Sequence, residues 1–229
     1  MGAGVDFEAV IFDMDGVLVD SEIWWDDARR DWAAAHGRTW TTDDRAAVMG
    51  ANSKAWARIM RDRLGLPDIP TAEVVRDIVN DVVERFATRG VPVIDGAAAT
   101  VRRLEREVPL AVASSAHVDV IDAALAATGL RDAFRAIVSS DEVAHGKPAP
   151  DVYLEAARRI GVRPPACLVV EDSLNGVRSG RAAGMTVVLV PNAAVPPLRD
   201  AFELADVVLE RLADLDLRAL RPRTLSSDV

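Results

Sequence analysis

The sequence predicts an α/β fold: an open, parallel, Rossmann-like sheet with helices on both faces and a helical segment inserted after its first strand. Three observations predict it. Short apolar, β-branched runs recur along most of the 229 residues. Amphipathic segments with charged faces alternate with the later runs, which is the pattern of right-handed crossovers between parallel strands. One stretch, from Asp20 to about Gly90, breaks the alternation and shows helical spacing alone.

In chain order, residues 9–12 form a short apolar run, read as a strand buried on both faces. The insertion follows, with helical spacing over residues 21–35, 54–64 and 72–88, and with Pro67 and Pro70 in a connection between helices. All five tryptophans (Trp24, Trp25, Trp32, Trp40 and Trp56) fall inside it. They are expected to fill a small helical core, with one or two facing a cleft toward the sheet. Alternation then resumes. Helices are expected over residues 96–107, 118–128, 151–160 and 175–183, and strands over 110–113, 136–139, 167–171, 186–190 and 207–209. No internal repeat is visible, and the polar tail, residues 221–229, is expected to fray.

Composition bounds the function. The length allows one large domain or a domain plus a sizeable insertion, and 50% hydrophobic with 28% charged residues can bury a real core. With 36 acidic against 27 basic side chains the net charge is -9, which repels nucleic acid phosphates and anionic lipid, so neither is an expected partner. Cys167, the single cysteine, has no partner for a disulfide or a thiolate zinc site and is read as core filler. The first basic side chain is Arg29, so no positive region opens a secretory signal, and no run approaches the roughly 18 apolar residues of a membrane span. A cytoplasmic monomer is expected. Of the 27 basic residues only Lys54 and Lys147 are lysine, so each asks for a reason.

Ligands of an open parallel sheet bind beyond the carboxyl ends of its strands, and four strand ends here carry usable chemistry. Asp13-Met14-Asp15-Gly16-Val17 follows the first strand and Ser114-Ser115 the second; Gly146-Lys147-Pro148 closes the third unit, and Glu171-Asp172-Ser173 ends the fourth. Asp13, Asp15, Glu171 and Asp172 on one rim would repel one another strongly in a partly desolvated cleft, so a cation is required among them. Oxygen ligands suit magnesium, which keeps waters and takes one or two carboxylates with a phosphate oxygen. Lys147 then supplies a compact positive charge, and Ser114 and Ser115 hydroxyl donors, for a phosphoryl group. A calcium loop is excluded. Starting at Asp13, its template needs an oxygen-bearing side chain at Val17, glycine at Leu18 and glutamate at Trp24. His36, His117 and His145 show no ligand spacing and read as surface or capping residues.

These motifs, Asp13-Met14-Asp15-Gly16-Val17, Ser114, Lys147-Pro148 and Glu171-Asp172, resemble in order and strand placement the four motifs of the haloacid dehalogenase superfamily. The match covers nearly the whole chain. A helical cap inserted between the first and second motifs resembles the branch that includes β-phosphoglucomutase and small-metabolite phosphatases. The resemblance implies a core domain of residues 1–19 and 91–229 and a cap domain of residues 20–90. It implies Asp13 as nucleophile, forming an aspartyl-phosphate and needing no lowered pKa because a carboxylate is already ionised. Asp15 would be general acid and then base. Lys147 would offset the charge between Asp13 and the phosphoryl group, and Ser114 would bind a phosphoryl oxygen. Magnesium would be held by Asp13, Asp172 and the backbone carbonyl of Asp15, with Glu171 bound to it directly or through another ligand.

Asp15 also separates branches of the superfamily. Dehalogenases and phosphonate-cleaving members lack an aspartate two residues after the nucleophile, so carbon-halogen cleavage is not expected. In the sugar-phosphate mutases a histidine lies ten residues after the acid/base aspartate, where this chain has Trp25. The expected function is therefore a magnesium-dependent phosphatase of a small phosphorylated metabolite such as a sugar phosphate. A phosphosugar mutase and a catalytically idle binding module are the alternatives. In the cap, the segment holding Gly50, Asn52, Ser53 and Lys54 resembles the loop that faces the active site in relatives, with Lys54 touching the far end of the substrate. Glu22 and Trp24, just beyond the hinge near Asp20, could line the cleft but are not counted in the site.

Overall fold

A computed structural model describes residues 7–49, 51–193 and 195–222. Its strands are β1 (Ala9–Phe12), β2 (Leu110–Ser114), β3 (Phe134–Ser139), β4 (Cys167–Glu171), β5 (Thr186–Leu189) and β6 (Val207–Val208). They form one parallel sheet in the order β3-β2-β1-β4-β5-β6. The direction of winding reverses between β1 and β4, and a crevice opens there beyond the strand ends. Residues of β1, β2, β4 and β5 are buried throughout, as continuous apolar runs in a covered sheet must be. Alternate side chains divide between two layers: Val10 and Phe12 face one, Ala9 and Ile11 the other. Register does the positioning. Phe12 pairs with Val170, so Asp13 and Glu171 leave the sheet side by side.

Four helices separate β1 from β2: α1 (Glu22–Ala35), α2 (Thr42–Val48), α3 (Ser53–Arg63) and α4 (Thr71–Arg89). The rest are α5 (Ala97–Leu104), α6 (Val118–Ala127), α7 (Asp151–Ile160), α8 (Leu174–Ala182) and α9 (Arg199–Leu204). Helices α2 and α9 are absent from the sequence reading because both are too short for a full apolar stripe. The seven residues of α2 start instead on local bonding, a reciprocal cap between Thr41 and Asp44. Strand β3 begins two residues earlier than its apolar run suggests, since exposed Arg135 between buried Phe134 and Ala136 is the alternation of a half-covered strand at the sheet edge.

The chain leaves the sheet for α1–α4 and returns along one line. Val19 bridges Val93 in antiparallel fashion, with Asp20 N donating to Pro92 O at 2.8 Å and Ile94 N to Leu18 O at 3.0 Å. Trp25, Trp32, Trp40 and Trp56 are buried among these helices, in an apolar cluster that continues without a break to Phe12 and Val112 on the sheet. Arg85 on α4 reaches Asp31 on α1 at 2.6 Å and Asp81 on its own helix at 2.9 Å. Among the described residues no helix is long and apolar enough to cross a membrane. The frayed-tail expectation falls mostly on residues 223–229, outside the described residues.

Apolar burial rather than ion pairing should dominate the joint between α1 and α4. Replacing fully buried Ile78 by alanine is expected to cost about 2–5 kcal/mol in denaturant unfolding. Arg85→Met should cost about 1 kcal/mol or less, because its partner Asp31 stays 67% exposed and solvated. A larger loss for Arg85→Met would reverse that ranking.

Candidate active site

A cavity of about 380 Å³ opens beyond the carboxyl ends of β1, β2 and β4 and under the helical segment. Asp13, Asp15, Ser114, Ser115, Lys147 and Asp172 line it from the sheet side. Glu22, Trp25, Arg29 and Trp56 line it from the helices. The four strand-end motifs singled out in the sequence therefore meet in one place. Two of the tryptophans, Trp25 and Trp56, face the cleft, while Trp24 lies outside the lining.

Lys147 is the hub. Its side chain is only 4% exposed, and Nζ donates to Asp13 Oδ1 at 2.7 Å and to Glu171 Oε1 at 2.6 Å. Tyr153 OH donates to the same Glu171 oxygen at 2.7 Å, and the Tyr153 ring centroid lies 4.9 Å from Nζ. The other Glu171 oxygen accepts from Asp172 N, Ser173 N and Ser173 Oγ at 3.0, 3.2 and 3.0 Å. Helix α8 begins on top of this carboxylate, and Gly176 makes that possible: a Cβ there would overlap the Glu171 carboxyl group. Gly16 does the same for Asp172. It turns with φ +84°, and a Cβ would overlap the Asp172 carboxyl group. Asp15 is clasped by Ser21 Oγ, which donates to Oδ1, and lies 3.5 Å from Ser114 Oγ through Oδ2. Ser114 Oγ also accepts from Ala116 N at 3.0 Å.

Charge at this rim is unbalanced. Burial pushes the Asp13 carboxyl up to about 7, with Lys147 opposing and Glu171 and Asp15 adding repulsion. Burial also raises Asp15 to about 6, against the Ser21 hydrogen bond. Asp172 is held well above the usual carboxylate range by burial and by its like-charged neighbours Glu171 and Asp13. Burial works against charge on Lys147 and Glu171 too, but their mutual attraction outweighs it, leaving Lys147 above and Glu171 below its ordinary value. The expectation that Asp13 needs no help with its ionisation beyond being a carboxylate is corrected, while the cation expected among these carboxylates answers to the same charge. In a desolvated cluster with one ammonium, its ionisation needs further positive charge.

The donor set fits such a cation. Oxygen atoms of Asp13, Glu171 and Asp172 lie within 4.8 Å of one another. Glu171 is already engaged by Lys147, Tyr153 and three further donors, which leaves Asp13 and Asp172 as the direct carboxylate ligands on offer. The Asp15 carboxylate stands apart from this group. Hard oxygen donors of this kind suit magnesium.

The cap-loop residues fare differently. Asn52 spends its side chain capping α3, accepting from Ala55 N at 3.0 Å. Ser53 is buried, and its N donates to Asp141 Oδ1 at 3.1 Å. Lys54 is exposed and outside the cavity lining, whereas Met49 and Ala51 belong to it. Gly50 lies outside the described residues. Three participants escaped sequence reasoning: Ser21, Arg29 and Tyr153. Only Tyr153 carried a signal, as the single tyrosine of the chain.

Comparison with known proteins supplies a family and a fold. A family model described as "Hydrolase: haloacid dehalogenase-like hydrolase" matches residues 7–184. The chain is 32% identical over 233 residues to Hexitol phosphatase B of Escherichia coli (strain K12), covering 93% of this chain and 96% of that protein. It is 31% identical over 212 residues to the Bifunctional riboflavin kinase/FMN phosphatase of Arabidopsis thaliana; this match covers 91% of the chain but only 54% of that longer relative. Among solved structures, CbbY from Rhodobacter sphaeroides in complex with phosphate superposes with a TM-score of 0.80 at 28% identity, covering 91% of this chain and 96% of that one.

Two outcomes test this account of the rim. Gly176→Ala should destabilise the fold by roughly 3–5 kcal/mol, because it displaces a buried, paired carboxylate. Inside an ordinary helix the same change stabilises by about 1 kcal/mol, so the sign in denaturant unfolding decides. For pH, carboxyls whose folded pKa is raised favour the folded state while protonated, and that contribution is lost as pH rises from about 4 to about 7. Glu171 is shifted downward and acts only below that window. The melting temperature gained on adding magnesium should therefore be larger at pH 8 than at pH 5; equal gains would contradict the raised carboxyls.

Proposed function

The chain belongs to the haloacid dehalogenase-like hydrolase family, and from that membership and its site we propose a magnesium-dependent phosphatase of small sugar or polyol phosphomonoesters that works through an aspartyl-phosphate. It is a phosphomonoester hydrolase by its likeness to named phosphatases such as Hexitol phosphatase B. One observation carries the reading. Asp13, held through Oδ1 at 2.7 Å from Lys147 Nζ, faces the same cavity as Asp15, whose carboxyl burial raises to about 6.

In the first half-reaction an Asp13 carboxylate oxygen bonds to phosphorus while the phosphorus–oxygen bond to the leaving group breaks. Asp15, whose carboxyl burial raises toward neutrality, gives a proton to the leaving oxygen. In the second half Asp15 takes a proton from water, the hydroxyl oxygen bonds to phosphorus, and the bond to Asp13 breaks. Inorganic phosphate leaves, and both carboxyls return to their starting states. Lys147 orients the attacking carboxylate and opposes its protonation, and Ser114 and Ser115 are placed to donate to phosphoryl oxygens. Asp13 and Asp172 would hold magnesium, with the Asp15 carbonyl, and the ion would supply charge neutralisation and a Lewis acid. Residues 20–90 act as the cap that excludes bulk water from the cleft.

Phosphate release from sorbitol 6-phosphate, fructose 1-phosphate and p-nitrophenyl phosphate, with magnesium or with chelator, tests this. Release should require magnesium and vanish in Asp13→Asn. Asp15→Asn should slow the first-turnover release of the alcohol from sugar and polyol esters by about 10²–10⁴. It should slow the first-turnover burst of nitrophenolate far less, because nitrophenolate leaves without a proton, while steady turnover falls for both because the same carboxylate is the base of the second half. Equal losses in the first turnover would remove Asp15 from the acid role, and no release from any ester would sink the phosphatase.

A further inference from the structure

The inserted helices meet the sheet domain along a polar seam that the chemistry above does not use. Ser53, the first residue of α3, donates its backbone N to Asp141 Oδ1 at 3.1 Å, across 88 residues of chain. The first N–H groups of a helix find no acceptor within it, and Asn52 Oδ1 serves Ala55 N, so Ser53 N takes its acceptor from the sheet side. A carboxylate there also meets the positive end of the helix dipole. The same contact buries groups that it leaves unmade. Ser53 Oγ, Ser140 Oγ and Asp141 Oδ2 are buried and have no hydrogen-bond partner among the described residues. Gly146 packs into the seam, where a Cβ would stand 3.5 Å from Ser140 Cβ and 3.6 Å from Asn52 Nδ2. The next residue is Lys147.

Asp141 is presented by the sheet rather than by the helices. Its N donates to Ser139 Oγ at 3.1 Å, and that hydroxyl donates to Ala116 O at 2.6 Å. A seam with one charge-assisted hydrogen bond and several desolvated polar groups is balanced rather than locked, because parting returns those groups to water and joining restores the bond. We propose that Asp141 is a latch: it holds the inserted helices closed over the cavity and thereby seats the loop that ends in Lys147. It lies outside the cavity lining and acts as a positioning residue, with no contact to the reacting atoms. The inference rests on reading residues 20–90 as the cap of a phosphatase.

Two substitutions, one on each side of the seam, separate a latch from a fixed structural contact. Asp141→Ala removes the bond and favours opening. Ser53→Ala keeps the backbone N and its bond, removes a buried hydroxyl without a partner, and favours closing. Measured without ligand, the protection of the residue 53 amide against hydrogen exchange should fall about tenfold in Asp141→Ala and rise about threefold in Ser53→Ala. KM for sorbitol 6-phosphate with magnesium should move the other way, up about tenfold and down about threefold, since apparent affinity follows the population of the closed state. A loss of folded protein would lower the rate without moving KM. Protection that falls or stays unchanged in Ser53→Ala overturns the latch, even if Asp141→Ala fails to fold. Protection that moves as expected with KM unchanged overturns its part in the reaction alone. No release from any ester overturns the phosphatase, and the exchange result still decides the latch.

Discussion

A single ammonium shared between two buried carboxylates organises the cavity edge of this protein's sheet. Pairing of β1 with β4 forces Asp13 and Glu171 together, and Lys147 makes that tolerable by bonding both at 2.7 and 2.6 Å. Asp172, next along the chain, then remains without an ion-pair partner of its own among the described residues. Much else at the rim follows from holding this set in place. Tyr153 and the start of α8 fix Glu171, Gly16 and Gly176 clear the space the carboxylates occupy, and Ser21 ties Asp15 aside from the trio. The residual negative charge is what makes a divalent cation at home here.

Much of this was legible in the sequence, for identifiable reasons. The strands of a sheet covered on both faces must be short apolar runs, and the residues directly after them must face the crevice, so Asp13, Ser114, Lys147 and Asp172 were readable from placement alone. Strand β1 and helix α7 coincide with the expected ranges because polar residues bound the first, and Pro150 and the left-handed Gly161 bound the second. Helix α2 was not legible, since seven residues carry no periodicity and depend on one cap.

The ionisation of Asp13 was illegible for a different reason. Sequence shows how many charges converge but not how much water they lose, and water loss is the largest influence on that carboxyl. Tyr153 and Arg29 were hidden by their company. Each sits on the apolar face of an amphipathic helix, where a long side chain looks like core, and only tertiary placement shows that its polar end meets a charge.

The paired crossing at Val19 and Val93 has a consequence for how such a protein diversifies. Its entry and exit strands are hydrogen-bonded neighbours, so the ends of the intervening chain stay fixed whatever its length or contents. Longer loops between fixed ends are entropically cheap. The carboxylates of Asp13, Asp15 and Asp172 lie on the sheet side of this junction, and the lining residues of the inserted helices lie beyond it. Changes in the inserted helices can thus alter one wall of the cleft while the carboxylates on the sheet side keep their places.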